Sequence, residues 1–169
     1  MMIRTITRRF LLTTSAIGLA AVAAASRWAS PRAEEAQGIF AVTHTDNEWR
    51  KLLNANQYAV LRQSATEQPF TSPLLHEERH GLFACAGCGL DLFSSTTKFD
   101  SGTGWPSFWA PLERAVGRKR DTSFGTERIA VHCNRCGGHL GHVFDDGPKP
   151  TGLRYCMNGV ALTFKPVGA

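Results

Sequence analysis

The chain has 169 residues, of which 43% are hydrophobic and 20% charged, a composition typical of a folded globular domain and not of a disordered chain. The formal net charge of +5 comes from the first 33 residues, which carry five arginines and no acidic residue. Residues 34–169 therefore have a formal net charge of zero. This balance argues against a nucleic-acid-binding surface, which needs a basic patch on the folded domain.

Residues 1–33 are predicted to be an export signal and tether, followed by one domain over residues 34–169. An arginine-rich start precedes residues 10–25, which carry no charge and are too few for a bilayer span of about 20 residues. The pair Arg8-Arg9 resembles a twin-arginine signal, so we expect export to the periplasm and no stable membrane insertion after cleavage. An ordinary secretion signal and an uncleaved membrane anchor remain alternatives.

Two short helices are predicted at the start of the domain. Thr45 and Glu48 have the spacing of a capping box, so the first helix should begin there. Its predicted apolar face consists of Trp49, Leu52 and Leu53. The apolar residues around Tyr58 predict a second helix that ends before Pro69. Trp49 and Tyr58 are expected to lie in the core.

From Gly81 onward, short apolar runs alternate with Gly, Asp, Ser and Pro, which is the pattern of strands separated by turns. Residues 160–164 place apolar side chains on one face only, as a half-buried strand does. The sequence therefore predicts a mainly β domain, with the two short helices packed on an antiparallel β body.

Four of the five cysteines form two Cys-x-x-Cys-Gly pairs, Cys85 with Cys88 and Cys133 with Cys136. Two such pairs supply four soft ligands in a closed tetrahedral set suited to Zn²⁺. Because protein fills all four positions, we expect one structural zinc ion per chain. The glycine after each pair is expected to leave room for the backbone near sulfur. Redox dithiols or disulfides remain the alternative, since exported proteins can keep them.

The fifth cysteine, Cys156, is a candidate nucleophile, although a lone cysteine is often only a buried packing residue. Arg154 lies two residues earlier and would favour the thiolate. His139 and His142 can transfer protons near neutral pH, but each could instead be structural or a metal ligand. A Gly-rich loop carries Trp105, a candidate wall for an apolar pocket.

Four stretches, in this order, resemble methionine-(R)-sulfoxide reductases of the B type. They are residues 85–88 (CAGC), 98–108 (KFDSGTGWPSF), 136–144 (CGGHLGHVF) and 152–158 (GLRYCMN). The resemblance spans residues 46–164 and implies two antiparallel sheets that form a curved, barrel-like body. It also implies thiol-dependent reduction of methionine-(R)-sulfoxide in oxidised proteins or peptides, and hence repair of oxidative damage.

The resemblance further implies roles for individual residues. The implied catalytic residues are Cys156 as the nucleophile, His139, His142 and Asn158, and the implied substrate-binding residues are Trp105, Phe108 and Arg154. Many family members carry a resolving cysteine where this chain has Thr103, so an external thiol or thioredoxin-like reductant is expected to reduce a Cys156 sulfenic acid directly. We expect a monomer. The alternative function is an exported zinc-ribbon-like module that binds a protein partner and keeps Cys156 in its core.

Overall fold

A computed structural model describes residues 40–123 and 125–168 of the chain. The predicted export signal lies outside the described residues. Two helices come first, α1 at Asp46–Leu52 and α2 at Ala55–Gln63. Among the described residues no helix is both long enough and apolar enough to cross a bilayer.

The first helix begins as predicted. The side chain of Thr45 accepts a hydrogen bond from the Glu48 backbone, and the Glu48 carboxylate accepts one from the Thr45 backbone. Trp49 is buried, as expected, but Leu52 is 60% exposed, so its predicted place on the apolar face is wrong. The helix ends at Leu52, and the extended backbone of Leu53 turns that side chain into the core instead.

The described residues contain nine strands in two antiparallel sheets, which confirms the predicted mainly β fold. The strands are β1 Gly81–Cys85, β2 Asp91–Ser94, β3 Lys98–Phe99, β4 Ser107–Phe108, β5 Val116–Asp121, β6 Arg128–Cys133, β7 His139–Phe144, β8 Arg154–Met157 and β9 Leu162–Pro166. One sheet has the order β2-β1-β9, and the other has the order β3-β4-β8-β7-β6-β5. Both orders leave edge strands, so the body is not a closed barrel.

Aromatic side chains from both sheets form the centre of the core. Phe108 of β4 stacks on Phe93 of β2 with ring centroids 4.4 Å apart, and it meets Phe83 of β1 edge to face at 5.0 Å. Phe108 has no exposed surface and belongs to the core, so its burial does not support the substrate-binding role, which stays a prediction. On the two-residue strand β4 side chains alternate between faces, and Phe108 points into the core while Ser107 points the other way.

The register of the larger sheet places Cys156 between two polar neighbours. Cys156 lies opposite Ser107 of β4 on one side and opposite His142 of β7 on the other. Residues directly opposite in antiparallel strands share a face, so these three side chains project together. The residues next to Cys156 on β8, Tyr155 and Met157, are buried in the core. The alternation along β8 therefore turns the Cys156 thiol away from the core.

Candidate active site and metal centre

The two cysteine pairs meet in one cluster. The sulfur atoms of Cys85, Cys88, Cys133 and Cys136 all lie within 4.8 Å of one another. Two of these Sγ–Sγ distances are 3.7 Å and 3.5 Å. A tetrahedral ion with metal–sulfur bonds of about 2.3 Å needs sulfurs about 3.8 Å apart. The cluster therefore fits a metal ion, as the sequence predicted, and among the described residues its candidate ligands are cysteines alone.

Both cysteine pairs have the same local backbone. The Gly89 amide donates to the carbonyl of Cys85 at 2.8 Å, and the Gly137 amide donates to the carbonyl of Cys133 at 2.9 Å. Both glycines have φ near +70°, which L side chains rarely adopt. A Cβ on Gly89 would meet nothing within 4 Å, so its φ, and not lack of space near sulfur, explains this glycine. At Gly137 the Phe40 ring also occupies that space.

The candidate active site is a cavity of about 140 Å³ that opens beside Cys156. Its walls include Trp105, Arg128, His142, Phe144, Cys156 and Asn158. Trp105, His142 and Asn158 come from separate parts of the chain and thus meet at the thiol. His139 lies next to this group, with its ring centroid 5.3 Å from that of His142.

Hydroxyl groups surround the Cys156 thiol. The Thr103 hydroxyl lies 3.8 Å from the Cys156 sulfur and 2.8 Å from the Ser101 hydroxyl, which in turn lies 2.7 Å from the Ser107 hydroxyl. Burial raises the pKa of Cys156 above its ordinary value, and this effect outweighs the Thr103 hydroxyl and the Arg154 charge, which both lower it. The thiol is therefore mainly protonated at neutral pH.

Arg154 contacts Phe144, which is one of the pocket walls. Its guanidinium makes two hydrogen bonds with the Asp146 carboxylate, at 2.9 Å and 2.8 Å, and lies over the Phe144 ring, 4.5 Å from the centroid. The side chain is close enough for its charge to act on Cys156. The predicted effect on the thiol therefore has the right direction, but burial of Cys156 is the larger effect.

The two histidines have different surroundings. His142 Nε2 lies 2.7 Å from a carboxylate oxygen of Asp121, the last residue of β5. His139 is buried, and its Nε2 has no hydrogen-bond partner among the described residues. Burial, followed by the charge of His142, lowers the pKa of His139 to about 4, so His139 is neutral at neutral pH.

Asn158 and Trp105 are both oriented by the backbone of Glu67. The Asn158 side-chain oxygen accepts from the Glu67 amide at 2.8 Å, and its nitrogen donates to the Leu140 carbonyl at 3.0 Å. The Trp105 indole N–H donates to the Glu67 carbonyl at 2.9 Å. These contacts fix both side chains, and the sequence gives no signal for them, because every residue type except proline supplies the same backbone groups at position 67.

Asp121 is a further residue of the site, and it is not recognisable from the sequence. It is separated from His142 by 20 residues and reaches it only because β5, β6 and β7 are neighbours in the larger sheet. A carboxylate at the end of a strand carries no motif that marks it as part of a site.

Comparison with known proteins places the chain among sulfoxide reductases. Residues 53–166 match the SelR domain. The chain is 55% identical to a peptide methionine sulfoxide reductase MsrB of Methanosarcina barkeri over 126 residues, which are 74% of this chain and 89% of that protein. It is 50% identical to the MsrB of Leptospira interrogans over 75% of this chain and 97% of that protein. The MsrB of Bradyrhizobium diazoefficiens is 54% identical over 74% and 91%, respectively.

We expect iodoacetamide to alkylate Cys156 with a pH midpoint above that of a free cysteine, about 8.5. The reason is that burial raises the pKa of this thiol. Peptide mapping after timed alkylation between pH 6 and pH 10 measures the rate at this one cysteine. The isosteric variant Thr103→Val removes a hydroxyl that lowers the pKa, so its midpoint should rise further. A wild-type midpoint below 8.5 would contradict the burial argument.

Proposed function

Because the chain belongs to the SelR-domain family, we propose that it reduces methionine-(R)-sulfoxide in oxidised proteins to methionine, with an external thiol as the reductant. The observation that carries this proposal is the match to the family over residues 53–166, together with a cysteine thiol that opens into a pocket walled by Trp105 and His142. In the described residues no feature favours the alternative of a zinc-ribbon-like protein-binding module. A monomer remains a prediction.

In the proposed reaction, the Cys156 sulfur attacks the sulfoxide sulfur, and the sulfoxide oxygen gains negative charge. The sulfur–oxygen bond of the substrate breaks, the oxygen ends on the Cys156 sulfur as a sulfenic acid, and methionine leaves. The thiol is oxidised and the sulfoxide is reduced, with no net gain or loss of protons in this step. Two equivalents of external thiol then return Cys156 to the thiol, with release of water and a disulfide.

We assign the proton donor for the sulfoxide oxygen to His142. His139 is buried and neutral at neutral pH, whereas His142 contacts the Asp121 carboxylate and lines the pocket beside Cys156. A positioned acid contributes on the order of 10²–10⁴-fold to such a step. His139 then serves to pack against the His142 ring.

The substrate methyl group is proposed to pack on Trp105 and Phe144. Both rings are held in place, Trp105 by its bond to the Glu67 carbonyl and Phe144 by the Arg154 guanidinium above it. A sulfur–aromatic contact is worth roughly 0.3–1.5 kcal/mol. With the methyl on the aromatic wall and the oxygen towards His142, two substituents of the chiral sulfur have defined places. The side from which Cys156 attacks the sulfur is also fixed, and these three constraints together are the basis for selecting one epimer.

Direct reduction by an external thiol follows from Thr103. It stands where many family members carry a resolving cysteine, and its hydroxyl lies 3.8 Å from the Cys156 sulfur. The other four cysteines lie together in the metal cluster. None of them is then free to form a disulfide with Cys156.

The test of the proposed function is turnover of a peptide that carries methionine-(R)-sulfoxide, with dithiothreitol as the reductant. Cys156→Ser should lose more than 95% of the activity, since an oxygen nucleophile attacks sulfur poorly, roughly the loss expected when a covalent nucleophile is removed. After one turnover without reductant, a dimedone-type reagent should label Cys156 in the wild type. The (S) epimer serves as the matched control substrate. Turnover by Cys156→Ser, or a Cys156 disulfide with a cluster cysteine, would contradict the mechanism.

We propose that the metal of the cluster is Zn²⁺, held by Cys85, Cys88, Cys133 and Cys136 with no role in the reaction steps. Its support is the donor set, four sulfurs at tetrahedral spacing with no open position. Binding of such an ion adds directly to the free energy of folding.

Elemental analysis of the purified protein should find one zinc per chain. Cys85→Ser should lose the metal and lower the unfolding temperature by more than about 5 °C, which corresponds to more than roughly 1 kcal/mol. Cys156→Ser is the matched control, because it removes a cysteine outside the cluster and should keep the zinc. Folded, active protein without zinc would refute the assignment.

We further propose export by the twin-arginine route, which carries folded proteins and would let the metal bind in the reducing cytoplasm. The support is the Arg8-Arg9 pair ahead of an uncharged apolar run. Replacement of both arginines by lysine should keep the protein in the cytoplasmic fraction, and periplasmic recovery of that variant would refute the route.

A further inference from the structure

The carboxylate of Asp121 accepts four hydrogen bonds, two through each oxygen. It accepts hydrogen bonds from His142 Nε2 at 2.7 Å and from the Arg128 guanidinium at 2.9 Å through one oxygen. Its other oxygen accepts from the backbone and the hydroxyl of Ser123, at 3.0 Å and 2.6 Å. The Ser123 contacts, and then His142 and Arg128, lower the pKa of Asp121 far below its usual value, so the group is ionised.

From this geometry we infer that Asp121 is a positioning residue for the reaction, one that holds His142 in a single tautomer with its proton on Nε2. The inference rests on the proposed function. An ionised carboxylate can only accept, so the hydrogen between the two groups belongs to His142 Nε2. The other ring nitrogen, Nδ1, then carries no proton, so it is the one left to take the proton of the Cys156 thiol and pass it to the substrate oxygen.

The sheet explains why this pair forms. Asp121 ends β5 opposite Arg128 of β6, and His142 of β7 lies opposite Ala130, two residues further along β6. The carboxylate therefore reaches diagonally across β6 to the histidine. His142 lies in turn opposite Cys156 of β8, so one row across the sheet runs from the carboxylate through the imidazole to the thiol. A histidine oriented by a carboxylate is a recurrent arrangement in acid–base sites.

A purely structural role for Asp121 is the competing explanation, because Arg128 and Ser123 belong to the same hairpin. The two explanations differ in their dependence on His142. If Asp121 acts through His142, its removal has no further effect once His142 is gone. If it only stabilises the hairpin, its removal slows the reaction by the same factor with or without His142.

The test is a double-mutant cycle with Asp121→Asn, His142→Ala and the double variant. The measured quantity is the single-turnover rate on the (R)-sulfoxide peptide with the protein in excess, which also suits slow variants. Asp121→Asn should slow the wild type by roughly 10–100-fold, which is at most the lower limit of what a positioned acid contributes, because His142 itself is still present. In the His142→Ala background the same change should alter the rate by less than about twofold. Glu127→Gln, the same change at an exposed carboxylate of that hairpin, is the matched control and should match the wild type.

A second measurement does not depend on turnover. Nitrogen-15 NMR of the histidine rings, assigned with His142→Ala, should show the His142 proton on Nε2 in the wild type. In Asp121→Asn the amide can donate as well as accept, so the single tautomer should be lost. An Asp121→Asn rate within twofold of the wild type, an equal loss in both backgrounds, or an unchanged tautomer would overturn the inference. An inactive wild type would instead overturn the proposed function, and the NMR result would still decide on the pair.

Discussion

The constraint on which the fold depends is the meeting of two cysteine pairs at the ends of β1 and β6, where a metal ion bound by the four sulfurs would link the two sheets. Three of the four cysteines are almost fully buried, and a cluster of buried thiols without an ion would leave polar groups poorly satisfied. The second cysteine pair leads through Gly137 and Gly138 into β7, which carries His139 and His142. The cysteine cluster therefore lies directly next to the start of the strand with both histidines.

The chemistry at Cys156 follows from its place in the middle of the larger sheet. Strands on both sides restrict the thiol to one position, and burial raises its pKa. A mainly protonated thiol is a weak nucleophile, so the proposed mechanism depends more on activation of the sulfoxide by a proton donor. This requirement explains why the surroundings of His142 matter as much as those of the thiol.

The side chains that line the pocket are held in place by contacts with residues outside it. Trp105 and Asn158 depend on the backbone of Glu67, and Phe144 lies beneath Arg154, whose charge is paired with Asp146. Such supporting contacts keep the walls in place without occupying the cavity. Arg154 thus serves the site through Phe144 and through its charge on Cys156.

The sequence by itself determined the local structural elements and the candidate metal-binding and nucleophilic residues. The capping box at Thr45, the two cysteine pairs and the lone Cys156 could all be recognised from spacing. Local hydrogen bonds and ligand spacing act over a few residues, so they are visible in the chain. Only the tertiary structure decided that Phe108 belongs to the core and that Asp121 reaches His142. Those facts depend on which strands become neighbours and which face each residue takes, and a shift of one residue in register would reverse every side chain of a strand.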